Sequence, residues 1–229
     1  MPSKLFKVNE DLEKVWKVLT TTLKRTYHTF FRKKKNLSWE VDLNKKVKDT
    51  TFVVIDTETT GLDLKKDEVI SVGAYKIVDL TLSFSEKLNL YLKTDLCRIE
   101  DSIKIHGITP DKLKNGLERK EALHQFLEFT KGAVLVGYFL EFDLEMLKKH
   151  LKEELNLNVS FYGFDVLDLY PKKTLDRIPK LNELLEEYDL PTTSFHNALE
   201  DAYMTALLFL KLVYSYRNKK LKQLPLKII

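Results

Sequence analysis

FVVIDTETTGL, residues 52–62, decides how the rest of the chain is read. Phe52 to Ile55 form a short apolar run of the kind that makes a buried strand. Side chains alternate along a strand, so Asp56 and Glu58, two apart, point to the same face and both can reach one ion. Two anions so close require a cation between them. Without one, like-charge repulsion raises one pKa and leaves a protonated pair.

Two further acids lie downstream, Asp143 in EFDLEML (141–147) and Asp201 in FHNALEDAYMTALLFL (195–210), with His196 five residues before Asp201. Four carboxylates and a histidine read as a metal-dependent phosphodiester hydrolase. Such a reaction drives an anionic nucleophile onto an anionic phosphate, and a pair of divalent ions ~3.5–4 Å apart stabilises both attacking and leaving oxygens. In this scheme Asp56 bridges, Glu58 and Asp201 complete the ion beside the attacking water, Asp143 helps to hold the second ion, and His196 removes the water's proton. Histidine ionises near 6.5 and accepts a proton at neutral pH. Oxygen ligands with waters retained suit Mg²⁺ or Mn²⁺.

Composition is consistent with this. The chain has 229 residues, 44% of them apolar and 11% aromatic, enough for a packed core and an extension. A single cysteine, Cys97, excludes an intramolecular disulfide framework and a thiolate metal site. There is no stretch of about 18 apolar residues and no signal-peptide pattern at the start, so a cytoplasmic location and no membrane partner are expected. Charge divides the chain into three. Residues 1–48 hold 13 Lys/Arg against 5 Asp/Glu, residues 49–215 hold 20 against 29, and residues 216–229 hold 5 basic groups and no acid. The basic flanks lie outside the acid-bearing part, where they could supply non-specific affinity for a polyanion.

Leu12, Val15, Trp16, Leu19, Leu23, Tyr27 and Phe30 recur at helical spacing after Asn9, a plausible N-cap, which predicts a long amphipathic helix in a basic extension and linker over 1–48. Its apolar stripe either packs on the chain's own core or docks on a partner. The basic run Arg32–Lys35 is either a solvated linker or a nucleic-acid contact. Strands are expected in VISVGAYKIV (69–78), LSFSEKLNLYLK (82–93) and AVLVGY (133–138). Helices are expected from Thr109-Pro110, around 120–130, over 142–155 and over 181–190, and after the cap Asn197, where Leu199, Tyr203, Ala206, Leu207, Leu210 and Val213 form an apolar side. The alternation predicts an α/β domain over 49–215 with a central mixed sheet flanked by helices, followed by a basic tail over 216–229.

DTETTGL, EFDLEML and HNALEDA, in that order, resemble the three motifs of the DEDDh 3′–5′ exonucleases, a family that includes the proofreading epsilon subunit of bacterial DNA polymerase III and ribonuclease T. The likeness spans about residues 50–215. It implies a ribonuclease H-like exonuclease fold, two Mg²⁺ or Mn²⁺ ions on Asp56, Glu58, Asp143 and Asp201, and His196 as general base. IHGIT (105–109) makes His106 an implied substrate contact, with Thr59 and Leu62 near the terminal base or sugar and Asp101 a weaker carry-over. The implied substrate is a single-stranded or frayed 3′ end of DNA, in a proofreading or repair setting, and the amphipathic helix could dock on a polymerase subunit. One departure stands out. Many members read His-Asn before the second-motif acid, where this chain has Tyr138-Phe139, an aromatic pair that could stack on bases or pack.

Three rivals remain at this level. A ribonuclease T-like enzyme would act on RNA ends instead. A non-catalytic module would keep the fold and only tether nucleic acid or a partner, although a scaffold has no reason to retain mutually repelling acids beside His196. An aspartyl-phosphate phosphotransferase built on Asp56 would want a second Asp where Glu58 stands. His28, His124 and His150 lack acidic company and read as surface or packing residues.

Overall fold

Phe52–Thr59 (β1) runs through the middle of a six-stranded mixed sheet. The structure, a computed structural model, describes residues 36–94, 107–171, 177–192 and 197–229. The helix expected after Asn9 and the run Arg32–Lys35 therefore lie outside the described residues. Val69–Val78 (β2) pairs antiparallel with β1, and Thr81–Tyr91 (β3) pairs antiparallel with β2. The turn between β2 and β3 has both central residues, Asp79 and Leu80, at positive φ (50° and 54°), the geometry whose twist matches that of the flanking strands. On the other side Val134–Gly137 (β4) lies parallel to β1, Tyr162–Asp165 (β5) parallel to β4, and Lys227–Ile228 (β6) antiparallel to β5. The strand order is β3-β2-β1-β4-β5-β6. The mixed α/β architecture expected from the sequence is present.

Between β3 and β4 come Pro110–Lys114 (α1) and Arg119–Phe129 (α2), and Leu140–Leu155 (α3) carries the chain from β4 toward β5. Val166–Leu169 (α4), Leu181–Glu187 (α5) and Ala198–Val213 (α6) follow. Phe52, Val53, Val54 and Ile55 are all fully buried, because helices cover both faces of β1. Phe52 and Val54 belong to a core with Phe164, Leu184, Met204 and Phe209. The Phe52 ring meets Phe209 edge-on at 4.9 Å and Phe164 at 6.2 Å. Alternation along β1 then decides what each later residue faces: Asp56 and Glu58 follow Phe52 and Val54 to the α6 side, and Thr57 follows Val53 and Ile55 to the α3 side.

One detail differs from the sequence reading. The buried side of α6 is Ala198, Ala202, Thr205, Ala206, Phe209, Leu212 and Val213 with Met204 and Leu208, whereas Leu199, Tyr203, Leu207 and Leu210 are only partly buried. This helix is apolar almost all round, so periodicity could not select the face that meets the sheet. The compact unit runs from Ser38 to Ile229, and within it residues 43–48 are joined to residues 217–222. Val47 N–H donates to Lys219 O, Lys48 to Arg217, Leu221 to Lys45 and Lys222 to Leu43, at 2.9–3.0 Å. Val47 and Leu221 anchor this ladder in the core, both fully buried.

Candidate active site

Asp56 pairs across the sheet with Gly73, and Glu58 with Ser71. The glycine is required by what lies above it. A Cβ at Gly73 would stand 2.2 Å from the carbonyl carbon of Ala198 and the amide nitrogen of Leu199, so the first turn of α6 rests on bare backbone there. Asn197 begins that turn as the sequence predicts, in extended conformation (φ −149°), its side-chain oxygen accepting from Leu199 N–H at 3.0 Å. Asp201 N–H donates to Asn197 O at 2.8 Å, which places Asp201 in the same turn. The result is that carboxylate oxygens of Asp56, Glu58 and Asp201 all lie within 4.8 Å of one another.

Asp143 approaches from the other face. It sits in the first turn of α3, 5% exposed, and its Oδ1 accepts from Thr57 N–H at 3.1 Å and from Thr57 Oγ1 at 2.5 Å. The residue between the two acids of β1 thus fixes the acid of α3. That helix starts without help from its own sequence: Phe139, at its N-cap, is left-handed (φ 56°, ψ 39°) and offers no side-chain cap. Asp165, at the end of β5, serves instead. Its Oδ2 accepts from Leu140 N–H at 3.0 Å and its Oδ1 from Leu167 N–H at 2.9 Å, so one carboxylate caps both α3 and α4.

The electrostatics are those of crowded, buried carboxylates. Burial raises the Asp56 carboxyl well above its ordinary value, and Asp143, Asp201 and Glu58 push it further. Burial, then Asp201 and Asp143, raise Glu58 to about 7. Burial also raises Asp143 to about 7, against the two hydrogen bonds from Thr57, with Asp165 adding to the rise. No lysine or arginine counts among the causes for these three groups. Buried carboxylates that raise one another's pKa in this way suit a hard divalent ion, which takes oxygen donors and removes the repulsion. Asp56, Glu58 and Asp201 could share one ion, and Asp143 could complete a second with Asp56.

The loop after β1 is closed by its own polar side chains. Thr59 Oγ1 donates to Gly61 O at 2.7 Å, Thr60 Oγ1 to Asp67 Oδ1 at 2.9 Å, and Asp63 N–H to Asp67 Oδ2 at 2.8 Å. Lys149 Nζ on α3 donates to Asp67 O, and Arg119 on α2 bonds Glu68 at 2.8 Å. Fully buried His150 accepts from Val69 N–H at 3.1 Å through Nε2, and burial lowers its pKa to about 4, so it is a neutral packing residue. The hydrogen-bonded loop presents Leu62 to solvent, 82% exposed. Tyr138 packs edge-on to Phe139 with ring centroids 4.7 Å apart, and its hydroxyl donates to Pro179 O at 2.7 Å. His196, His106 and Asp101 lie outside the described residues. Three positioning residues escaped the sequence reading: Thr57, Gly73 and Asp165. Gly73, a glycine in the middle of an apolar strand, carried a usable signal of close backbone approach.

The chain can now be set beside known proteins. A family profile described as Exonuclease matches residues 53–209. The chain is 32% identical over 179 residues to the PolC-type DNA polymerase III of Thermotoga petrophila, which covers 78% of this chain and 13% of that protein. It is 32% identical over 167 residues to the DNA polymerase III subunit epsilon of Aquifex aeolicus, covering 72% of this chain and 81% of that subunit. The chain therefore spans about an eighth of the PolC-type relatives it matches. Among solved structures it is similar to E. coli Exonuclease I in complex with a dT13 oligonucleotide, with a TM-score of 0.59 and 20% identity over 73% of this chain and 41% of that one. At that identity the likeness speaks for the fold.

Proposed function

The chain belongs to the exonuclease family whose profile spans residues 53–209, and on that premise we propose that it is a metal-dependent 3′–5′ exonuclease releasing nucleoside monophosphates from DNA. The observation that carries this reading is the convergence of Asp56, Glu58 and Asp201 within 4.8 Å, with Asp143, held by Thr57, close enough to raise the Asp56 and Glu58 carboxyls. Two divalent ions, Mg²⁺ or Mn²⁺, would supply neutralisation of the scissile phosphate and a lower pKa for the attacking water. Asp56, Glu58 and Asp201 would hold the ion nearer the water, and Asp56 with Asp143 the second. His196, one residue before the cap Asn197, accepts the water's proton. The water oxygen bonds to phosphorus, the P–O3′ bond breaks, and the departing 3′ oxygen gains a proton from solvent.

Thr59, at the end of β1, and Leu62, in the loop after it, would border the terminal base or sugar, and the family resemblance makes His106 and, more weakly, Asp101 further substrate contacts. A single-stranded or frayed DNA 3′ end is the substrate favoured by the names of two similar proteins, a DNA polymerase III epsilon subunit and an exonuclease bound to dT13. In this reading a polymerase subunit would dock on the amphipathic helix expected after Asn9, and the enzyme would work in the cytoplasm. No described helix is long and apolar enough to cross a membrane. The test offers the protein 5′-labelled DNA and RNA oligomers of matched sequence with Mg²⁺ or Mn²⁺. Shortening of DNA from its 3′ end with release of mononucleotides is expected. Preferential shortening of RNA overturns the choice of substrate, and cleavage of neither with either metal favours the tethering module.

A further inference from the structure

The ladder between residues 43–48 and 217–222 has an effect beyond closing the fold. It brings the backbones of Lys45, Lys46 and Lys48 beside those of Lys219, Lys220 and Lys222, which the sequence places about 170 residues apart, through these hydrogen bonds and an antiparallel bridge between Lys46 and Lys220. All six are exposed, while the apolar residues interleaved with them, Val47 and Leu221, are fully buried and hold the backbone in place. None of the six has an ion-pair partner among the described residues, in contrast to Lys76, Lys93, Lys148 and Lys227, each paired with a carboxylate within 2.8 Å. Beside them Arg217 lies over the Tyr214 ring at 4.4 Å and Lys219 over Tyr216 at 4.9 Å. The part of the chain from 49 to 215 is net acidic, so this is a concentration of positive charge against the prevailing sign.

Its distance from the acids follows from two elements. Asp201 and Val213 are separated by twelve residues of α6, ~18 Å at 1.5 Å per residue, and the patch begins just past that end. Phe52 and Asp56 are separated by ~13 Å of extended β1, and the patch lies beyond Phe52. No lysine of the patch reaches the scissile phosphate. Phosphates along one strand of a duplex recur every ~3.4 Å, so an adjoining backbone reaches the patch within several nucleotides.

We propose that Lys45, Lys46, Lys48, Lys219, Lys220 and Lys222 form a second binding site that grips the phosphate backbone of the same nucleic acid, away from the 3′ end being cleaved. This site rests on the exonuclease reading for its substrate and adds a tether outside the acidic cleft. The contact is sequence-independent and salt-dependent, because each lysine that meets a phosphate releases condensed counterions.

The experiment compares the full chain with the quadruple variant Lys46→Gln, Lys48→Gln, Lys219→Gln, Lys220→Gln, and with the matching Lys→Arg quadruple. Two substrates are used: a DNA oligomer long enough to span the ~15–20 Å to the patch, and the p-nitrophenyl ester of thymidine 5′-monophosphate, which cannot. The Gln variant is expected to hydrolyse the small ester as the parent does, to raise KM for the oligomer about tenfold at low salt, and to reduce the slope of log KM against log salt by about 3. The Arg variant keeps the parent's slope. Unchanged KM and slope in the Gln variant overturn the proposal. If the parent cleaves neither substrate, the exonuclease reading has failed, and fluorescence anisotropy of labelled oligomer in EDTA still decides the tether: equal affinity of parent and Gln variant overturns it. Retention by phosphatidylcholine–phosphatidylserine vesicles, lost in the Gln variant while oligomer binding is unmoved, also overturns it and assigns the patch to a lipid surface.

Discussion

Two helices each bring an acid to the end of β1 from their first turn, and they begin in opposite ways. The start of α6 is local: Asn197 caps it two residues ahead, in relaxed extended backbone, and the turn settles on Gly73. The start of α3 is borrowed: its own N-cap, Phe139, is a bulky residue in left-handed conformation, and the capping oxygen comes from Asp165, 25 residues downstream on another strand. Asp201 is consequently set by short-range sequence and one close packing contact. Asp143 is set by the tertiary structure, from Asp165 behind and Thr57 in front.

The sharpest way to break this comparison is to remove an acid from either side. Asp201→Ala or Asp143→Ala should each lower turnover by at least about 10³-fold, since a lost ligand removes several kcal/mol of transition-state stabilisation. A variant retaining parental rate in a single-turnover assay would strike its helix from the site. Next is Gly73→Ala, which drives a methyl into the backbone of Ala198 and Leu199. Overpacking of this kind costs about 1–3 kcal/mol or more. Urea denaturation should show that loss, and the affinity for Mn²⁺, read by titration calorimetry, should fall with it; Ser71→Ala, on the neighbouring register position, should leave the affinity unchanged.

The pH dependence separates the two regions differently. Glu58 in the folded protein ionises near 7 against an ordinary 4.5, so its neutral form favours folding. That contribution is complete below about 4.5 and is lost as pH rises through 7, a swing of about 3 kcal/mol if burial is retained. Asp143, also raised to about 7, adds in the same direction. Metal-free protein should therefore become less stable between pH 5 and 8, and saturating Mg²⁺ should flatten the profile. A flat profile in EDTA would mean that the acids are better solvated than their burial implies. Smaller still is the contest of caps. Asp165→Ala removes the acceptor for two helix starts and should cost about 2–3 kcal/mol, against about 1 kcal/mol for Asn197→Ala; equal losses would erase the distinction drawn between α3 and α6. Smallest is Phe139→Gly, which relieves the left-handed residue and should stabilise the protein by up to about 1 kcal/mol.

The same contrast explains how much could be read in advance. Strand β1 and its same-face acids follow from alternation, VISVGAYKIV is β2 to the residue, and Asn197 declared its cap. These signals are carried by neighbours in the chain. The dual cap of Asp165, the grip of Thr57 on Asp143 and the pairing of residues 43–48 with 217–222 depend on residues 25 to about 175 positions apart. Lysine-rich segments advertise a solvated surface, yet their backbones are free to pair with any partner of matching register, and no side-chain pattern names that partner. The face of α6 was lost for another reason: where every side of a helix is apolar, periodicity holds no information about direction.

Strand β1 also acts as a ruler of parity. Because odd and even positions face different helices, one residue inserted between Ile55 and Asp56 would turn both acids toward α3 and the threonine toward α6, with every individual amino acid still present. Substitutions in this strand are graded injuries, whereas a single-codon insertion or deletion rewires which groups meet at all.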